Sequence, residues 1–146
     1  MRNRLVRTAA VLGLAASLAA CGGGRGPELT NISTAGSPST NRVGPVDQHR
    51  EMVTMRLGER GVVAVFRSGE CGARAPDFTR MMQGQVEDGL RVPEGIILYD
   101  AGIADYESSR CGTFVPARAI GVIAAQTGRY ELRFFGGEVV RTVVVR

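Results

Sequence analysis

Thr127-Gly128-Arg129-Tyr130-Glu131-Leu132-Arg133-Phe134-Phe135-Gly136-Gly137-Glu138-Val139-Val140-Arg141-Thr142-Val143-Val144-Val145 decides the fold class. From Arg129 to Phe134 charged and apolar residues alternate without a break. Side chains of a strand alternate between its two faces, so Tyr130, Leu132 and Phe134 share one face and Arg129, Glu131 and Arg133 the other. This is the pattern of an antiparallel strand buried on one side. Gly136-Gly137 predicts a tight hairpin, because both positions tolerate positive φ. The apolar run after it predicts the closing strand.

Outward from this hairpin, turn residues recur at short intervals: Asp88-Gly89, Pro93-Glu94-Gly95, Ala101-Gly102 and Cys111-Gly112. The apolar runs between them, residues 96–99, 113–115 and 119–125, predict further short strands. Upstream, residues 50–57 and 61–67 read as two strands around a Gly58-Glu59-Arg60-Gly61 turn. Between these and the later strands, Ala75-Pro76-Asp77 starts a short helix, with Pro in its first turn. Phe78, Met81 and Met82 form its apolar stripe, and Gly84 is expected to stop it after one or two turns. The expected fold is mostly β, a small antiparallel β-sandwich with one short helix.

The stretch Thr127-Gly128-Arg129-Tyr130-Glu131-Leu132 resembles the penultimate strand of immunoglobulin-like sandwiches, where a Gly-x-Tyr-x-Leu pattern precedes the last hairpin. The resemblance covers about 20 residues and implies an immunoglobulin-like or related sandwich. The chain has no Trp and lacks the wide cysteine spacing of true immunoglobulin domains.

The amino terminus carries a different kind of signal. Arg2, Arg4 and Arg7 precede a short apolar stretch from Ala9 to Ala20, ending in Leu18-Ala19-Ala20-Cys21. A basic start, a short apolar run and small residues at a cut site make a secretory signal. The run is well under the roughly 20 residues that span a bilayer. A cysteine directly after the small pair resembles the lipobox of bacterial lipoproteins. That resemblance implies a signal peptide over 1–20, cleavage before Cys21, and lipidation of Cys21 as a membrane anchor. Gly22 in the next position resembles lipoproteins sorted to the outer membrane, facing the periplasm. Residues 21–47 then form a lipidated cysteine and flexible linker, with Gly, Pro, Ser and Thr at 15 of the 26 positions from 22 to 47. Such a segment buries too little apolar surface to offset its ordering entropy. The folded domain is expected over residues 48–146.

Export also bears on the cysteines. Cys71 and Cys111 remain after Cys21 is lipidated, in a compartment that oxidises thiols. A disulfide between them is the expectation; a reactive thiol pair or half a metal site are the alternatives. Redox pairs usually show C-x-x-C spacing and zinc sites need four ligands. The loop of about 40 residues would be worth about 4 kcal/mol in the chain-entropy model.

Charge excludes one class of partner. The full chain holds 18 basic residues, all Arg, against 14 acids. Residues 1–20 contain three of the arginines and no acid, so the mature chain is nearly neutral. It lacks the basic footprint of a nucleic-acid binder.

Catalytic and metal sets are thin. His49 is the single histidine and stands at the linker edge, so no Ser-His-Asp or Cys-His set is expected. Asp100, Asp105 and Glu107 cluster, but their spacing matches no calcium loop. Met52, Met55, Met81 and Met82 with His49 invite comparison with Cu(I) carriers. Met52 and Met55 face opposite sides of a strand, however, and core packing explains them better. No cofactor and no metal is expected. Tyr99, Asp100, Asp105, Tyr106 and Glu107 are read as a loop that could contact a partner, since Tyr offers flat apolar area with a polar tip. The expected function is a non-enzymatic binding or assembly-accessory lipoprotein whose partner is an envelope protein. The alternatives are an inhibitor of an exported hydrolase such as lysozyme and, more distantly, a periplasmic copper-binding protein.

Overall fold

The computed structural model describes residues 31–33, 39–44, 46 and 50–146. Among them, strands β1 (Ile32–Ser33), β2 (Met52–Met55), β3 (Arg60–Arg67), β4 (Ile96–Ser108), β5 (Thr113–Ala124), β6 (Gly128–Phe134) and β7 (Val139–Val145) form two sheets. The first has the order β1-β4-β5-β3 and the second β2-β7-β6. Helix α1 (Phe78–Glu87) connects β3 to β4. The chain is mostly β, as the alternating pattern predicts.

The terminal hairpin has the expected phase. Leu132 and Phe134 are fully buried, Tyr130 packs against the core, and Arg129, Glu131 and Arg133 are exposed. Tyr130 pairs with Val143, Leu132 with Arg141 and Phe134 with Val139 across the ladder. Gly136 and Gly137 both take positive φ, at 61° and 104°. The core lies between the sheets, where Phe66 meets Phe134 edge to face at 5.4 Å between ring centroids. The disulfide between Cys71 and Cys111 is formed, tying the turn after β3 to the turn after β4. The loop it closes contains α1 and β4.

Several expectations need correction. Residues 50–57 and 61–67 do hold two strands around a turn, shortened to β2 and shifted to β3, but the two belong to different sheets. The 56–59 turn instead carries the chain between sheets: β2 pairs in parallel with β7, and β3 pairs antiparallel with β5. The β1–β4 ladder is parallel too, so the sandwich is not wholly antiparallel. Residue pattern shows which face of a strand is buried, but partner choice depends on contacts distant in sequence.

Gly84 does not stop the helix. Asp77 caps α1, its carboxylate accepting the Arg80 N–H at 2.9 Å, and the helix runs on to Glu87. A helical glycine costs about 1 kcal/mol relative to alanine. The last turn offsets this by burying Val86 and by placing Gln85, whose Oε1 accepts the Phe135 N–H at 2.7 Å.

The break expected at Ala101-Gly102 is a β-bulge, not a turn: β4 runs unbroken through it, with the register shifting between Asp100 and Gly102. Likewise the runs 113–115 and 119–125 fall in one strand, β5, which ends at Ala124. Finally, the linker expected over 22–47 is partly built into the fold. Ile32 pairs with Leu98, is 8% exposed and joins the core, and Arg42 bridges to Ile103.

Candidate functional site

Strand β3 ends the four-stranded sheet. Along it opens a cleft of about 390 Å³. Val63, Val65 and Arg67 of β3, Ser68 and Gly69 beyond it, Tyr106 of β4, and Phe135, Val139 and Arg141 of the terminal hairpin line it. Val46 completes the wall.

The cleft follows from the local sequence. A bulge between Val62 and Ala64 leaves Val63 out of the ladder with β5. The Val63 carbonyl faces Arg141, whose Nε donates to it at 3.2 Å. Arg141 shares the inward parity of β7 with Val143 and Val145, both buried. Its charge keeps β7 from closing tightly on β3, because a guanidinium needs polar partners where an aliphatic side chain would pack. Alternation along an antiparallel ladder turns the backbone groups of Val65 and Arg67 away from β5, toward the cleft.

Phe135 forms the other wall. Its φ of 52° is rare for an aromatic residue, and its ring stands 4.8 Å from that of Phe66, edge on. Such a left-handed backbone costs of order 1–3 kcal/mol and persists only where the surroundings hold it. Here the Phe66 ring and the Gln85 carboxamide hold it, leaving Phe135 41% exposed at the cleft.

Arg67 stands at the far end. It donates to the Ser68 carbonyl at 2.9 Å, and its guanidinium lies 5.9 Å from the centre of the Tyr106 ring. Among the described residues no carboxylate pairs with Arg67. The cleft thus has apolar and aromatic walls, a cation at one end, and strand backbone along one side.

The five residues read as a partner-contact loop are strand residues of β4, with Tyr99 and Tyr106 on one face and Asp100, Asp105 and Glu107 on the other. Tyr99 lays its ring against Gly121, with the Arg60 guanidinium 5.5 Å from its centroid. Asp100 is nearly buried and bound to Arg118. Asp105 faces Arg42 at 3.7 Å near solvent, and Glu107 is exposed. Only Tyr106 reaches the cleft. Sequence reasoning missed Arg67, Phe135 and Arg141. The available signal was Arg141, a charge at a core-facing position of an otherwise apolar strand.

Met55 and Met82 are core residues, Met81 packs against the core, and Met52 is exposed. His49, grouped with them in the copper comparison, lies outside the described residues, together with Cys21 and the 1–20 segment. Among the described residues no three His, Cys, Asp or Glu side chains stand close enough to hold a metal ion, and no helix is long and apolar enough to cross a membrane. Comparison with protein families, with characterised proteins and with solved structures finds no match to this chain.

Proposed function

We propose that this chain is an envelope lipoprotein, anchored through lipid on Cys21 in the outer membrane and facing the periplasm, that binds an extended peptide segment of another envelope protein. The role is one of binding, not catalysis. The single observation that carries the binding half is the cleft along β3, where strand backbone, apolar walls and an arginine converge. Extended peptides add to a sheet edge through main-chain hydrogen bonds, with pockets for alternate side chains supplying specificity. Val65 and Arg67 supply the edge. Phe135 and Val139 supply apolar contact, and Arg67 favours an acidic residue at that end of the peptide. The lipid half rests on Leu18-Ala19-Ala20-Cys21 behind its basic and apolar segments.

A photo-crosslinking amino acid at Tyr106 should capture an envelope protein in intact cells. The same group at Tyr99, on the same face of β4 but seven residues away over Gly121, should not. Val65→Pro removes an edge N–H and should abolish the Tyr106 capture. Equal capture from Tyr99, or persistence in Val65→Pro, would refute the cleft as the binding site. Cys21→Ser should stop labelled palmitate incorporation; continued labelling would refute the lipidation.

A further inference from the structure

The segment before β2 is fastened to the domain at one end and loosely packed at the other. Residues 39–43 lie along β4: the Val43 N–H donates to the Ile103 carbonyl at 2.9 Å, and the Ile103 N–H donates to the Asn41 carbonyl at 2.7 Å. The fastening point is a buried ion pair. Arg118 Nη1 lies 3.2 Å from Asp100 Oδ2 and donates to the Ser39 carbonyl at 2.7 Å, while the Ser39 N–H donates back to Asp100 Oδ2 at 2.9 Å. Gly102 makes room for the segment. Its φ is +111°, and a Cβ there would overlap the Asn41 carbonyl oxygen.

Beyond Val43 the packing opens. Val43, Gly44 and Val46 border a second cavity of about 270 Å³ with Arg50, Val53, Val62 and Val63. Val46 therefore has open space on two sides, this cavity and the β3 cleft. Bordering both cavities, Val46 can move into either with a shift of the segment that carries it.

We infer that the Asp100–Arg118 pair is a latch, and that the strap it holds positions Val46 as a wall of the β3 cleft, so that the cleft keeps its shape only while the strap is fastened. The inference rests on the cleft being the binding site, and it names how that site is regulated. An unfastened strap withdraws one wall of the cleft and leaves the edge of β4 uncovered around Ile103, beyond its pairing with β1.

The chain contains no Trp, so Val46→Trp in the full-length protein places a single indole fluorophore at the wall. Two further substitutions, each made in that background, open the strap by different routes. Ser39→Pro removes the N–H given to Asp100 and leaves β4 and β5 unaltered. Gly102→Val puts a side chain where the Asn41 carbonyl lies. In each, amide exchange at Val43 should rise by about tenfold or more, because its N–H loses the Ile103 carbonyl in the open strap. The indole emission should shift to longer wavelength, and β6 amides should stay protected. Faster exchange at Val43 with unchanged indole emission would overturn the link between strap and cleft. Unchanged exchange at Val43 in Ser39→Pro would overturn the latch, whatever the fluorescence does. Loss of β6 protection in Gly102→Val would mean global unfolding, and Ser39→Pro then decides. None of these readouts uses a ligand, so failure here is distinct from failure of the crosslinking test.

Discussion

Replacing Arg118 by Met should destabilise the domain by about 3–5 kcal/mol, the cost of breaking a buried ion pair from one side. The geometry shows where that cost arises. Only 7% of the Arg118 side chain and 14% of the Asp100 side chain reach solvent. Arg118 Nε donates to the Pro76 carbonyl at 2.9 Å, and Nη1 serves the Ser39 carbonyl and both Asp100 oxygens. Methionine roughly keeps the volume and removes every donor. Two carbonyls lose a partner, and Asp100 keeps only the N–H groups of Ser39 and Gly102 against its charge. The exposed pair of Arg133 and Glu131 is the internal control. It is shorter, at 2.6 Å, yet its side chains are 65% and 50% exposed. Water screens it, so Arg133→Ala should cost no more than about 0.5 kcal/mol. Urea denaturation followed by circular dichroism, with the disulfide intact, measures both. For a domain near 100 residues, 3–5 kcal/mol corresponds to roughly 12–40 °C in Tm. Equal losses at Arg118 and Arg133, or a loss under about 1 kcal/mol at Arg118, would refute the argument that burial and not contact length sets the strength of these pairs.

Leu132→Ala should cost about 2–5 kcal/mol, because its side chain is fully buried in the sandwich; a loss as small as that of Arg133→Ala in the same denaturation series would refute the strand phase. Cys71 and Cys111 should resist alkylation until a reductant is added, and reduction should lower stability by about 4 kcal/mol; free thiols in freshly isolated protein, read by intact mass, would refute the bridge. Phe135→Gly relieves the left-handed backbone and removes a ring from Phe66, so the two effects oppose each other and stability should change by under about 2 kcal/mol, while capture by the Tyr106 crosslinker should fall. Unchanged capture would remove Phe135 from the binding surface.

Burial of alternate residues in β6 was legible because it is a local property: a strand with one wet face must repeat every two residues, and Arg129 to Phe134 does so. The cleft was not legible in this way. Its walls come from β3, β4, the terminal hairpin and Val46, which are brought together by pairings between residues far apart in the chain. Tyr99 and Tyr106 looked equivalent as flanks of one loop, yet only Tyr106 reaches the cleft, because the expected loop is an extended strand that holds the two, on one face, about 20 Å apart.

By itself the sequence determined the β-rich class, the inward face of the last hairpin, a helix after Ala75-Pro76-Asp77, though Pro76 lies before its cap and not in its first turn, and, given export, the pairing of two cysteines. Each follows from a short-range rule of period or from elimination. Tertiary structure alone decided that Gly84 continues a helix, that Gly102 makes a bulge, and that residues 39–43 lie on β4 instead of hanging free. Glycine permits a break, a bulge and a close approach alike. Which of these occurs depends on what the neighbouring chain buries: Val86 and Gln85 beyond Gly84, and the Asn41 carbonyl against Gly102.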